Sequence, residues 1–167
     1  NFLINDLNLT KDFKIDYISL VDLDFVNNSK KINKIVLKKN KKNYQIKSKI
    51  FDSSNLLEEI LFGKDEGGIS RFFYNLNAGI KIELDKVFIG DSDFIKNLNS
   101  EIRFKKNKLI NLDLSGTFIN NKKINLTIRT NQNKEKITTL FSGNAKPLVK
   151  KYKFIKGFEE GSLDFYS

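Results

Sequence analysis

Residues 109–130 read LINLDLSGTFINNKKINLTIRT and contain two stretches in which apolar and polar residues alternate. Leu112 and Leu114 belong to the first stretch, Leu126 and Ile128 belong to the second, and a run of Asn and Lys separates them. Alternation with a period of two places the apolar side chains on one face of a β-strand. A short polar run between two such strands predicts an antiparallel pair.

The same pattern extends in both directions from this pair. Stretches rich in Asn, Lys and Gly separate the alternating segments, with roughly one strand for every 10 to 15 residues, as in an antiparallel meander. The turns are predicted at residues 38–43, 106–108, 120–123 and 131–134. The other predicted strands are Phe13–Val26, Ile32–Leu37, Tyr44–Phe51, Leu76–Ile89, Asn99–Lys105, one that ends at Gly143, and Ser162–Ser167.

Two short helices interrupt the strands. The first is predicted between Ser53 and Gly63, because Ser is a good N-cap, Gly favours the C-terminal end and an apolar stripe lies between them. The second is predicted over Ala145–Tyr152, where Leu148 and Val149 share a helical face with the two end residues.

This pattern predicts an all-β protein, mainly antiparallel, with one apolar and one polar sheet face. The apolar face must be covered, because leaving it in water would forfeit the main driving force of folding. Three arrangements satisfy this requirement: a sandwich, a barrel, or an open curved sheet whose apolar face holds a lipid. Without further information, a protein core is the simplest interpretation.

The composition excludes several kinds of functional site. Among 167 residues there is no Cys and no His. Zinc, haem and iron–sulfur sites use these residues as ligands, and neither a Cys nucleophile nor a His base is possible. The carboxylate pairs Asp22/Asp24 and Glu159/Glu160 are best interpreted as solvated. We therefore predict that the chain is not an enzyme and has no catalytic residues, metal ligands or cofactor.

The net charge of +10 has two interpretations. It can mark a surface that binds nucleic acid or anionic membranes, or it can reflect a composition heavy in Lys, Asn, Ile and Phe. Arg occurs only at Arg71, Arg103 and Arg129. Because nucleic-acid sites favour the bidentate guanidinium of Arg, the second interpretation is preferred.

The second half of the chain resembles the AsmA-like family. The stretch 76–90, LNAGIKIELDKVFIG, is similar to a family strand that precedes a strand pair whose second member contains Gly, here residues 100–104 and 109–118. The family then has a strand, a short helix and a glycine-containing loop before a last strand, here residues 141–165. Asn144, where the family carries an acidic residue, and Lys146 and Glu160, where it carries glycines, depart from the family pattern.

This resemblance, carried by residues 76–167, implies a fold and a function. Residues 1–167 would form a single β-rich segment of a longer AsmA-like protein: a long, curved, twisted sheet forming an open groove, with the two short helices. Such proteins are tethered to the inner membrane and cross the periplasm, and they are thought to conduct phospholipid between the inner and outer membranes. The implied partners are phospholipid acyl chains, neighbouring segments of the same chain, and the membrane through regions outside this segment.

Under this resemblance the apolar positions of the strands would line the lipid groove, although each is also a candidate for an ordinary protein core. The candidates are Ile80, Ile82, Leu84, Ile102, Phe104, Ile110, Leu112, Leu114, Phe118, Leu126 and Ile128.

Two other functions stay open. A structural or adhesive β-repeat of an exported protein would have a closed core and no continuous groove. A basic oligonucleotide-binding module would need exposed aromatic residues beside Lys or Arg. Most Phe residues fall on the apolar side of the strands, and only Arg71 to Tyr74 has the required composition. We therefore expect no nucleic-acid partner.

Overall fold

The structure is a computed structural model. It describes residues 1–27, 30–53, 72–90, 92–131, 133, 135–152 and 160–167. The predicted helix between Ser53 and Gly63 lies outside the described residues beyond its first position.

Twelve strands and one helix are described. The strands are β1 (Phe2–Asn5), β2 (Asn8–Leu9), β3 (Ile15–Tyr17), β4 (Leu20–Val26), β5 (Ile32–Asn40), β6 (Asn43–Asp52), β7 (Ala78–Phe88), β8 (Phe94–Lys105), β9 (Lys108–Phe118), β10 (Lys123–Thr130), β11 (Lys136–Ser142) and β12 (Leu163–Tyr166). The helix, α1, is Lys146–Tyr152.

Ten of these strands form one large sheet in the order β1-β4-β5-β6-β7-β8-β9-β10-β11-β12. The order is linear, with β1 and β12 at opposite edges, so the sheet is open and does not close into a barrel. All neighbours are antiparallel except β6 and β7, which pair in parallel from Tyr44↔Ile80 to Asp52↔Phe88. The prediction of a mainly antiparallel, all-β fold is therefore confirmed. The parallel pair interrupts the predicted meander.

The predicted strand Phe13–Val26 is divided in two. Ile15–Tyr17 pairs with β2 in a separate two-stranded sheet, and Leu20–Val26 joins the large sheet. Strands form on both sides of the break, as the alternation predicts. Ile18, at the break, is 3% exposed and packs in the core. Ile15 also forms a bridge to Phe73, which attaches the small sheet to the lead-in of β7.

Backbone geometry explains where the turns fall. Lys106 and Asn107 both have positive φ, as a two-residue hairpin with the right-handed strand twist requires. Lys41 and Asn121 adopt the same left-handed conformation in the turns before β6 and β10. Three of the predicted turns lie between the expected strands, the first of them narrowed to residues 41–42 because β5 extends to Asn40. The fourth falls between β10 and β11, and its positions 132 and 134 lie outside the described residues. Asn is common at these sites because it tolerates the left-handed region better than most side chains.

The helix α1 follows the predicted pattern. The amide N–H of Val149 donates to the carbonyl of Ala145 at 3.0 Å, and Leu148 donates to the same oxygen at 3.1 Å. All three side chains are buried, and Leu148 contacts the main apolar cluster. The short helix therefore holds its apolar stripe against the protein, as its sequence predicts.

Candidate functional site

The apolar face of the large sheet, the candidate site, contains one continuous row of directly paired residues. Residues paired across neighbouring strands lie on the same face, so the register can be followed from edge to edge. We call this set the central row. Its members are Ile4, Val21, Leu37, Ile46, Ile82, Ser100, Leu114, Leu126, Leu140 and Phe165.

Burial divides the central row into two parts. From Ile4 in β1 to Ile82 in β7, its apolar members are half-buried. On the other side of the sheet, Leu126 is 2% exposed and Leu140 is 7% exposed, although Leu114 is half-buried and Phe165, in the edge strand, is exposed. Strands β1 and β4 to β7 thus present apolar side chains that keep some access to solvent, whereas the row is enclosed at Ser100, Leu126 and Leu140.

The predicted groove residues are mostly core residues. Seven of the eleven are less than about a tenth exposed: Ile80, Leu84, Ile102, Leu112, Phe118, Leu126 and Ile128. Ile82, Phe104 and Leu114 are half-buried and pack against this cluster. Ten of the candidates therefore form one contiguous apolar cluster, and the sequence pattern correctly placed them together.

Ile110 differs from the other ten. It is half-buried, and the apolar cluster of the described residues does not include it. The register between β8 and β9 shifts between Arg103 and Phe104, so that Leu109 is the residue opposite Phe104. Leu109 packs against the cluster in its place. Alternation alone assigned Ile110 to this face, because a strict period of two makes no allowance for the extra residue that a bulge inserts.

Four core residues fall outside the predicted set, three of them because the alternation changes phase. The fourth, Leu98, keeps the alternation of Ser100 and Ile102 but precedes the predicted strand Asn99–Lys105. Val87, Ile89, Ile95 and Leu98 are each at most 4% exposed. In β7 the buried positions change from even to odd numbers after Leu84. In β8 the register shifts between Lys96 and Asn99, and Asn97 between them has a positive φ of 49°. Strict alternation therefore fails at the end of β7 and the beginning of β8.

The close packing at this bulge depends on Gly116. A Cβ placed on Gly116 would lie 2.4 Å from Cγ2 of Ile95, closer than carbon atoms approach in proteins. Ile95 is 1% exposed, so its side chain has no free space into which it can move. The glycine at this position of β9 thus has a local steric reason.

The opposite face of the sheet is polar and carries ion pairs. The Glu83 carboxylate in β7 forms an ion pair with Lys81 at 2.8 Å and another with Lys47 of β6 at 2.9 Å. Hydrogen bonds from Lys81 and Lys47 lower the pKa of Glu83 to about 2. The contact with Lys47 joins the two strands of the parallel pair, although all three groups are solvent-accessible and each pair contributes little to stability.

A buried polar network lies where β5 begins and β6 ends. The Asn33 side chain is 1% exposed; its Oδ1 accepts the Asp52 N–H at 2.7 Å and its amide donates to the Lys31 carbonyl at 3.0 Å. The Asp52 carboxylate accepts from the Asn27 amide at 2.8 Å, and the Lys31 ammonium donates to the Gly90 carbonyl at 2.6 Å. In this region hydrogen bonds replace part of the apolar packing.

Ser100 is the polar interruption in the central row. Its side chain is 4% exposed, and its Oγ has no hydrogen-bond partner among the described residues. Its neighbours in the row are Ile82 and Leu114. An unpaired buried hydroxyl costs free energy, because it loses its hydrogen bonds to water without replacement.

The aromatic stretch considered for nucleic-acid stacking is divided by burial. Phe73 is 7% exposed and meets Tyr44 edge to face with ring centroids 5.9 Å apart, whereas Phe72 and Tyr74 are exposed. Core packing therefore accounts for Phe73. Arg71, the cation of this stretch, lies outside the described residues.

Comparisons of this chain with family models, curated proteins and solved structures give no match. In the described part of the chain, no helix is long and apolar enough to cross a membrane. The same residues contain no cluster of three acidic side chains placed to hold a metal ion.

Proposed function

We propose that this chain is a segment of an envelope protein that holds or conducts phospholipid between the inner and outer membranes, without catalysing a reaction. The acyl chains would lie along the half-buried part of the central row. Under the resemblance to AsmA-like proteins, the segment works in the periplasm, next to other segments of the same chain, and a region outside it provides the inner-membrane tether.

The observation that carries this proposal is the central row. It crosses all ten strands of an open sheet, a span of roughly 43 Å at the usual strand spacing. Val21, Leu37 and Ile46 in its half-buried part offer a continuous apolar surface of three neighbouring strands. Each acyl CH₂ group removed from water there would gain about 0.8 kcal/mol. Such contacts are non-directional, so a chain can be held and still slide.

The proposed lipid surface lies on strands β4–β6 and not at the groove positions that the sequence predicted. Leu112 and Leu126 are each 2% exposed, and a side chain so enclosed cannot touch a ligand unless the sheet opens. The half-buried residues of the N-terminal strands need no such opening.

The test is native mass spectrometry and lipid extraction of the chain after expression in a Gram-negative host. Leu37→Asn should reduce the co-purified phospholipid several-fold, because it puts an amide into the middle of the half-buried row. Val36→Asn is the matched control. Val36 precedes Leu37 in the same strand, is half-buried, and faces Asp22 and Lys47 on the polar side. Its replacement should leave the lipid bound.

A second candidate function is a structural β-repeat, and the enclosed core of β7–β11 favours it. Phe118, Ile95 and Leu112 are each at most 2% exposed, as expected where an apolar face serves only folding. A lipid-free wild-type mass with cooperative unfolding would support this candidate and oppose the lipid proposal. Equal lipid loss from Leu37→Asn and Val36→Asn would also oppose the lipid proposal.

A further inference from the structure

An open cavity of about 280 Å³ lies at the end of the sheet where β5 turns into β6. Three segments form it: the small sheet with β3, the β5–β6 hairpin, and the lead-in to β7. Its lining includes Asp16, Lys39, Lys41, Lys42, Tyr44 and Phe73. We call this space the hairpin cavity. The hairpin cavity is separate from the half-buried middle of the central row. Tyr44, which lines the cavity, lies on the same sheet face as that row.

The rim of the hairpin cavity is positively charged. It carries three lysines and one aspartate, which leaves an excess of two positive charges. Among the described residues, no carboxylate lies within 4.0 Å of the ammonium of Lys39, Lys41 or Lys42. Asp16 likewise has no cationic partner at that distance in this part of the chain. The lysine charges are thus available to a ligand, and the aspartate offsets only one of them.

Lys39 is held in place by aromatic rings. Its ammonium lies 3.8 Å from the ring centroid of Tyr17 and 5.7 Å from that of Tyr44. A cation over an aromatic face is attracted by the ring quadrupole. Because Lys39 already occupies these ring faces, the cavity is not arranged to receive a second cation. Its ammonium is instead pre-positioned at the wall of the space.

The floor of the hairpin cavity is apolar. Tyr44, Phe73, Leu76 and Ala78 each have at most 8% exposure and belong to the main apolar cluster. The Tyr44 hydroxyl has no hydrogen bond to the described residues, and burial, with Tyr17 and Asp16 nearby, raises the pKa of this phenol. The hydroxyl therefore stays a proton donor. The cavity combines a cationic rim, one free O–H donor and an apolar floor.

We infer that the hairpin cavity binds the phosphate group of an anionic ligand, with Lys41, Lys42 and Lys39 supplying the charge and Tyr44 a hydrogen bond. This inference deepens the proposed function and rests on it for the lipid form of the ligand, since a phosphate on the rim would let an attached acyl chain reach the apolar floor. A free phosphate would use the same lysines without the floor.

The test is an NMR titration of the chain Asn1–Ser167, at constant ionic strength, with two probes: inorganic phosphate and dihexanoyl phosphatidic acid. Lys41→Gln with Lys42→Gln should weaken binding about tenfold, because the phosphate would lose two of the three cationic groups on the rim. Both side chains are exposed in a turn, so the fold should persist. Tyr44→Phe keeps the ring, and it should weaken binding several-fold without changing the unfolding midpoint.

Lys122→Gln with Lys123→Gln is the matched control. These lysines also belong to an exposed hairpin turn, but at the opposite end of the sheet, so the net charge falls equally. Binding should be almost unchanged. Equal weakening by the two double variants would mean that the ligand only senses net charge, and this result, or the lack of saturable binding by either probe, would overturn the inference.

The two probes distinguish the sources of phosphate. Tighter binding of phosphatidic acid, with shifts of Leu76 and Ala78 resonances, supports the site and identifies a lipid headgroup. Equal affinity for both probes supports the site while opposing the lipid function. Lipid that co-purifies but is insensitive to Lys41, Lys42 and Tyr44 would support the lipid function and overturn the hairpin cavity as its phosphate site.

Discussion

The two halves of the central row have the same alternating sequence pattern but different surroundings. Leu37 in β5 is half-buried, whereas Leu126 in β10 is 2% exposed, although both are leucines at equivalent positions of the same row. The N-terminal half also contains the buried hydrogen-bond network around Asn33, and the C-terminal half contains most of the close-packed aliphatic residues. Alternation therefore reports which face a side chain takes, and tertiary packing decides how much of that face is covered.

The sharpest test of this difference is the pair Leu126→Ala and Leu37→Ala. Leu126→Ala should lower the free energy of unfolding by about 3 kcal/mol, because it leaves a cavity in an enclosed core. Leu37→Ala should cost about 1 kcal/mol, because its side chain loses less buried area and solvent can fill the space. Urea unfolding followed by circular dichroism measures both. Equal costs would mean that the two halves are equally packed in solution, and the comparison would fail.

A second pair compares the buried polar groups of the two halves. Asn33→Ala should cost about 2 kcal/mol, since the Asp52 N–H would lose its acceptor while still buried. Ser100→Ala should be neutral or stabilising, because it removes a hydroxyl that has no partner among the described residues. The same unfolding experiment measures both variants. A large loss on Ser100→Ala would show that its Oγ is hydrogen-bonded in solution.

The smallest expected effect is on the pH dependence of stability, and it concerns Glu83 in β7, whose carboxylate pairs with Lys47 in β6. The pKa of Glu83 is lowered from 4.5 to about 2, chiefly by hydrogen bonds from Lys81 and Lys47. A lowered carboxyl pKa stabilises the fold above the ordinary pKa, and this contribution is lost as the pH falls from about 4.5 towards 2. The wild type should therefore lose slightly more stability over this range than Glu83→Gln. Parallel curves for the two proteins would show that the ion pairs contribute nothing.

Much of the sheet could be predicted from local patterns. The four turns and the faces of Ile80, Leu112 and Leu126 follow from turn residues and the period of two, because both are properties of a few consecutive residues. Ile110 and Ile95 could not be placed correctly. A bulge reverses the facing of every later residue, and its position depends on the neighbouring strand rather than on local sequence.

The candidate site was predictable only in part. The sequence indicated an apolar face and named ten members of its cluster, but it could not say that Leu112 is enclosed while Leu37 is half-buried. The hairpin cavity could not be predicted from the sequence either. Lys41 and Lys42 read as an ordinary polar turn, and nothing local indicates that Tyr44 and Phe73 come together below them.

The sequence by itself determined the all-β class, the turns, the helix after Ala145 and the absence of Cys and His chemistry, since these depend on residue type and short-range spacing. Only the tertiary structure decided the parallel pairing of β6 with β7, the open strand order, the bulge at Asn97 and the uneven cover of the central row. The physical reason is that pairing and burial are contacts between residues far apart in the chain, and a strand with one apolar face satisfies many partners equally well.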